Sequence, residues 1–222
     1  QPRHYLILLL IATAAGGGYL AVRGYLEHKE VLKRIISRLE ADSRIAEVLV
    51  TGVTYDESTG KTLTTIKFLE YGIDGKALEP RYFTFPGNVI QFQSLVIRFN
   101  DMYIRNADAL RGKSAYLFWR VFMLDGKDTV EYEITPVHHV PGGYLLQKEA
   151  GYYEKRFWER FWDYALDAER AGKMGIKNAQ IEAPGTMFVP GTLYTIRIEH
   201  DGGIRIDATP LSPILRGERI LE

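Results

Sequence analysis

The sequence predicts an α+β protein with three consecutive parts: a transmembrane helix, an amphipathic stalk helix, and an antiparallel β-rich head with one inserted aromatic-rich helix. Three observations predict this fold class. Residues Tyr5–Val22 form an uncharged apolar run, period-two alternation starts near residue 44, and an aromatic stripe at helical spacing lies late in the chain. We place the anchor at 1–23, the stalk at 24–43 and the head at 44–222.

The composition is that of a globular protein. Of the 222 residues, 46% are hydrophobic, and 28 Lys and Arg balance 28 Asp and Glu. This apolar fraction supports a buried core, whereas a zero net charge argues against a dedicated nucleic-acid binder, which carries a basic excess. The chain has no cysteine, which excludes disulfides, thiol nucleophiles and Cys-based metal sites.

The apolar run Tyr5–Val22 has the length of a membrane span. As a helix, its 18 residues would extend about 27 Å, close to the thickness of the hydrocarbon core of a bilayer. A tyrosine lies near each end, and Arg3 and Arg23 bracket the run. We expect a retained anchor. The alternatives are a buried helix of a soluble protein and a cleaved signal peptide, because Ala12–Ala14 resembles a cleavage site.

Small residues in this run predict a helix-packing face, formed by Ala12, Gly16, Gly17 and Gly18. Ala12 and Gly16 have the small-xxx-small spacing that lets two membrane helices approach closely. Each glycine costs about 1 kcal/mol relative to alanine in an aqueous helix, so a packing role would account for three in a row. The alternatives are ordinary membrane-helix composition and a kink.

Charge and domain length give opposite indications of the membrane orientation. Arg23, Lys29, Lys33 and Arg34 follow the apolar run and favour a cytoplasmic head by the positive-inside rule. A long domain behind a short N-terminal tail is, however, often translocated regardless of charge. We expect the head on the extracytoplasmic, periplasmic side.

Apolar residues recur at helical spacing directly after the anchor, and they predict a stalk helix from about Tyr25 to Ala41. Glu30 and Arg34 form a favourable i,i+4 pair on its polar face. We expect the apolar stripe to pack on its own domain. Packing against a second copy is the alternative.

Period-two runs fill most of the remaining chain and predict antiparallel strands. Hairpin turns are expected at Asp56–Gly60, Asp125–Asp128 and Asp201–Gly203. The run AYLFWRVFML is apolar on both faces, which predicts a strand that is central or is covered on both sides. The predicted strands are 46–55, 61–71, 88–99, 114–124, 129–137, 192–200 and 203–210.

An aromatic stripe predicts a helix from about Tyr152 to Ala171, with Tyr153, Phe157 and Phe161 on one face. We expect this face to cover the sheet. The alternative is a docking face for a membrane or a partner, since Trp and Arg dominate interface energetics. The candidate interface residues are Arg156, Trp158, Arg160 and Trp162.

The sequence contains no motif that indicates a catalytic, cofactor or metal site. Ser58–Thr62 resembles a phosphate-binding loop, but Tyr55 stands where the motif requires its first glycine, so a hairpin turn explains the segment. His138 and His139 are adjacent, and neighbouring residues of a strand point to opposite faces. A metal site there would need partners from elsewhere in the chain. The candidate partners are Glu131, His200 and Asp207.

The layout of an apolar helix, an amphipathic helix and a β-rich head resembles that of type IV pilins and pseudopilins. The resemblance covers the layout alone and implies a filament subunit. Our leading expectation is a non-enzymatic, single-span interaction or assembly subunit of a membrane or envelope complex, without a cofactor. Its expected partners are the lipid bilayer and other subunits or copies of itself. A pilin-like filament subunit and a membrane-tethered envelope hydrolase are the alternatives.

Overall fold

A computed structural model describes residues 13, 15–27, 30–31, 33–34, 44–99, 114–125, 128–167, 169, 176–199 and 203–215. Within these ranges the chain is an α+β protein with two antiparallel sheets and few helices, which confirms the predicted fold class at that level. No helix among the described residues is long and apolar enough to cross a membrane. Residues 1–12 of the predicted anchor lie outside the described ranges.

The first sheet is built around a long central strand. Its strands are β1 (Arg44–Asp56), β2 (Lys61–Glu70), β3 (Arg81–Phe85), β9 (Thr192–Ile198) and β10 (Ile204–Pro210). They lie in the order β10-β9-β1-β2-β3, and every neighbouring pair is antiparallel. The predicted hairpin turn after Asp56 joins β1 to β2, with Gly60 in the left-handed region at φ 66°.

The second sheet has the order β6-β5-β4-β7, and β8 pairs with the end of β4. Its strands are β4 (Val89–Phe99), β5 (Ser114–Asp125), β6 (Asp128–Glu133), β7 (Ile176–Glu182) and β8 (Gly185–Met187). The predicted strand 129–137 ends early, at Glu133, because the backbone N–H groups of Ile134 and Thr135 both donate to the carbonyl of Trp119 and the chain then leaves the sheet.

The first core lies between the two sheets, where one face of each sheet meets the other. In β9, for example, Tyr194, Ile196 and Ile198 are buried, while Thr195 and Arg197 on the other face are half-buried. This is the alternation expected for a strand with one wet face. The largest fully buried side chains of this core are Phe68, Phe85, Phe92, Phe118 and Phe188.

Helix α2 (Tyr152–Leu166) covers the opposite face of the second sheet and makes the second core. It ends five residues before the predicted end at Ala171. Strand β5 is therefore covered on both faces, as its apolar sequence predicts. The second core consists of Leu95, Ala115, Leu117, Trp119, Tyr144, Trp158, Phe161 and Trp162.

Helix α1 contains residues 15–27, and residues 13, 30–31 and 33–34 are also helical. Among the described residues, contacts at Val31 and Gly24 connect this helical segment to the head. Val31 packs against the second core, and a Cβ atom at Gly24 would lie 3.3 Å from the hydroxyl of Tyr153 in α2. Val31 belongs to the predicted stalk, whose residues 28–29, 32 and 35–43 lie outside the described ranges.

Candidate functional site

Helix α1 exposes large apolar side chains over most of its circumference. Tyr19, Leu20, Val22, Tyr25 and Leu26 are 58–67% exposed. At about 100° per residue they cover about 220° around the helix axis, and the remaining arc carries the small residues Gly17, Ala21 and Gly24. A water-exposed helix carries its apolar residues on one stripe, whereas a helix that is apolar all round is buried in protein or in lipid.

The predicted helix-packing residues lie on the open part of α1. Cβ atoms built on Gly16, Gly17 and Gly18 have no heavy atom within 4 Å, so nothing in the described chain covers this face. Ala12, the fourth predicted member, lies outside the described residues. Further along, the helix surface forms a shallow groove, whose described lining is Tyr19, Val22, Arg23, Leu26, Glu27 and Glu30.

The two tryptophans proposed as interface residues are in the core. Trp158 and Trp162 are both 0% exposed, and the indole N–H of Trp162 donates to the carbonyl of His139 at 2.8 Å. Arg156 is exposed and lies 3.7 Å from Glu159, while the Arg160 side chain lies outside the described part of the chain. The structure thus agrees with the core interpretation of the aromatic face.

The buried face of α2 is turned relative to the predicted stripe. Trp158 and Trp162, which were expected beside the stripe, are buried together with Phe161, whereas Tyr153 and Phe157 of the stripe are half-buried. The centre of the buried face and the centre of the predicted stripe differ by about one residue, or 100° around the helix. Tyr153 instead faces α1. The aromatic residues of α2 therefore contact both the second sheet and α1.

The exposed face of α2 changes in charge along its length. Tyr152 is 71% exposed at the start of the helix, and exposed Lys155 and Arg156 follow within one turn. Glu159 and Asp163 lie one and two turns further on the same face. The basic end is the one that lies next to α1.

The described candidate ligands do not lie together with the adjacent histidines. His138 adopts φ 65°, and its Nδ1 lies 3.7 Å from the Asp163 carboxylate, while His139 Nδ1 lies 3.0 Å from the carbonyl of Val137. Asp207 is instead 3.0 Å from Arg205 on β10, and Glu131 on β6 pairs with Arg120; His200 lies outside the described residues. The described ranges contain no group of three or more His, Asp or Glu placed to hold a metal ion.

A β-bulge brings together a polar cluster that sequence reasoning missed. β4 pairs Gln93 with Arg120 and Ser94 with Phe118, which leaves Trp119 as an extra residue. The Arg120 guanidinium lies 4.5 Å from the centre of the Trp119 ring, a cation–π contact, and its Nη1 is 3.4 Å from both carboxylate oxygens of Glu131. A two-to-one pairing of strands leaves no signal in the sequence of one strand.

Arg81 joins the two sheets at the edge of the sandwich. Its Nη1 donates to the carbonyl of Ile134 at 2.5 Å, and its guanidinium lies 5.7 Å and 5.8 Å from the ring centres of Phe68 and Phe83. Burial lowers the pKa of the Arg81 guanidinium, and the charge of the buried Glu70 opposes that change. These contacts have a structural role: the bond to Ile134 ties β3 to the chain at the end of β6, and the two ring contacts lie within the first sheet.

Hydrogen bonds shift the pKa of two ionisable groups at the first sheet, Tyr71 and Asp56. Tyr71 donates to Glu47 at 2.7 Å, which raises the pKa of Tyr71 above 10.0 because its neutral form keeps the bond. Asp56 accepts from the hydroxyl and backbone N–H of Ser58 and from the Thr59 hydroxyl, which lowers the pKa of Asp56 below 3.8. Both pKa shifts have these hydrogen bonds as their main cause.

Comparison with known proteins finds no family model that matches the chain and no curated protein or solved structure similar to it.

Proposed function

We propose that the chain is a single-span membrane protein whose head is a non-enzymatic interaction or assembly module of a membrane or envelope complex. The observation that carries the proposal is the wide exposed apolar surface of α1. Exposed Tyr19, Leu20 and Val22 continue the uncharged run that begins at Tyr5, and lipid is the surrounding that such a helix needs.

The head supplies a large polar surface away from that helix. The first sheet lies on the side of the second sheet opposite α2, and side chains such as Tyr82 and Arg205 are exposed on it. An exposed sheet face with polar and charged side chains of this kind suits association with other subunits. We propose that the head lies on the periplasmic side and contacts its partners there.

Extraction of membranes with alkaline carbonate tests the anchor. The full chain should stay in the membrane pellet because an apolar helix resists extraction. A double variant, Leu9→Arg with Ala14→Arg, should shift the protein to the supernatant, since a charge at the centre of a span costs about 3 kcal/mol on insertion scales. The matched control, Leu9→Val with Ala14→Val, should remain in the pellet. Complete release of the wild-type chain would overturn the proposal.

Cysteine labelling tests the orientation, because the chain has no cysteine of its own. A Tyr82→Cys variant places one thiol on the exposed side of β3. A membrane-impermeant maleimide should label it in intact spheroplasts if the head is periplasmic. Arg3→Cys, on the other side of the apolar run, should react only after lysis. The reverse pattern would place the head in the cytoplasm.

A further inference from the structure

The beginning of α2 lies next to the residue where the apolar run ends. Gly24 stands two residues after Val22, and the Tyr153 hydroxyl lies 3.3 Å from the position of a Cβ at Gly24. Since α1 is a continuous helix over 15–27, the chain reaches this contact within one turn of the last apolar residue. If the run spans a bilayer, the first turn of α2 is at the level of the headgroups.

The side chains exposed at that level suit a lipid surface. Tyr152 is 71% exposed and packs edge-on against Tyr153, with ring centres 5.4 Å apart. Tyrosine is enriched at membrane interfaces because its ring is apolar and its hydroxyl is polar. An exposed aromatic side chain next to the end of a span therefore has a natural surrounding in the headgroup layer.

The charges at the same place are complementary to anionic lipids. Lys155 and Arg156 are exposed one turn from Tyr152, whereas the acid of this turn, Glu154, is 2% exposed and accepts a bond from the Leu146 N–H at 2.9 Å. The acidic residues of the exposed face lie further from α1. In the preceding loop, exposed Lys148 and Glu149 offset each other.

From these contacts we propose that the exposed face of the first turns of α2, around Tyr152, rests on the headgroup layer of the same membrane that the N-terminal helix enters. This inference rests on the proposed membrane anchor. Its consequence is that the head is held against the bilayer in a fixed orientation, with the second core nearer the lipid and the first sheet directed away from it.

Single-cysteine variants of the full chain test the proposal in vesicles of phosphatidylcholine and phosphatidylglycerol. A fluorescent label is placed at Tyr152→Cys, at Tyr19→Cys within the apolar run, and at Tyr55→Cys, which is 66% exposed on the β1–β2 hairpin. Quenching is measured with lipids that carry a nitroxide on the headgroup or on the acyl chain. We expect headgroup quenching at Tyr152 to be several-fold stronger than at Tyr55, and acyl-chain quenching to be strongest at Tyr19.

The three labels separate the failure of this inference from the failure of the anchor. Strong acyl-chain quenching at Tyr19, with equal headgroup quenching at Tyr152 and Tyr55, would overturn the surface contact and leave the anchor in place. Loss of quenching at Tyr19 would overturn the anchor itself. Spin–spin coupling between nitroxides attached at Tyr152 in two copies would identify a second copy as the occupant, and would also overturn the proposal.

A charge variant tests the contribution of lipid charge. Lys155→Gln with Arg156→Gln should reduce headgroup quenching at Tyr152 in vesicles with phosphatidylglycerol and leave it unchanged in pure phosphatidylcholine. Lys76→Gln, a highly exposed lysine in the loop between β2 and β3, is the control and should have no effect in either vesicle. Equal effects of the two variants would contradict a specific contact.

Discussion

Tyr144 provides, with one hydroxyl group, the hydrogen bonding that a neighbouring strand would give at Tyr116. It accepts a bond from the Tyr116 N–H at 3.0 Å and donates to the Tyr116 carbonyl at 3.2 Å. β6 pairs with β5 only from Arg120 onward, so this part of the β5 edge relies on side chains. The Thr135 hydroxyl does the same for the Phe118 carbonyl at 2.7 Å.

Removal of the Tyr144 hydroxyl should therefore destabilise the head. We expect Tyr144→Phe to lower the free energy of unfolding by about 1–3 kcal/mol, because two hydrogen bonds to buried backbone groups are lost while the ring is kept. Tyr152→Phe, at an exposed ring, should change it little. Urea unfolding of the full chain in detergent, followed by near-UV circular dichroism, measures both. Equal effects would contradict the role of the buried hydroxyl.

The lowered pKa of Asp56 predicts that the stability of the folded head depends on pH. Its pKa in the folded state lies below the unfolded value of 3.8, so its stabilising effect is present above pH 3.8 and is lost as the pH falls through the folded pKa. We expect Asp56→Asn to destabilise the hairpin at pH 7 and to have a smaller effect near pH 2. Glu57→Gln, at the adjacent exposed carboxylate, is the control. Melting temperatures of the wild type and both variants at the two pH values measure these effects. An equal loss of melting temperature in Asp56→Asn at both pH values would contradict the prediction.

At the scale of elements, α2 is held by the face that contains Trp158. We expect Trp158→Ala to lower the free energy of unfolding by about 3–5 kcal/mol, as is typical for a large buried aromatic residue. Phe157→Ala should cost clearly less, because this ring is only half-buried. Thermal unfolding of the two variants in the same detergent compares them. A greater loss for Phe157→Ala would mean that the predicted stripe, and not the observed one, forms the core.

The elements that sequence reasoning predicted are those with strong periodicity. Seven strands and α2 have long alternating or helical patterns, and the apolar β5 was placed correctly as a central strand. β3 was missed because five residues between Pro80 and Pro86 carry little pattern, β7 because its sequence IKNAQIE has no period-two alternation, and β8 because it has only three residues. The orientation of α2 and the bulge at Trp119 arise from packing between distant segments, which local spacing does not encode.

At the scale of the whole molecule, the glycine face of α1 is available to another helix. In a Thr13→Cys background, the thiol lies one turn before Gly17 on the same face. We expect oxidative crosslinking between copies in membranes, and Gly17→Leu should reduce it because a larger side chain keeps helix backbones apart. Tyr19→Leu, about 200° away around the helix, is the matched control. Unchanged crosslinking in Gly17→Leu would mean that the glycines form a kink or a neutral segment.

The position of β1 at the centre of the first sheet has a consequence for biosynthesis. One edge of β1 pairs at once with β2 through a short hairpin, but its other edge pairs with β9, which is translated about 150 residues later. Pairing of such distant segments is slow, and an open strand edge is a template for association with other chains. The nascent head therefore carries an unsatisfied edge until β9 has been made. If the N-terminal helix enters the membrane first, it keeps this edge beside the bilayer, and a holding chaperone at the translocation site would protect it there.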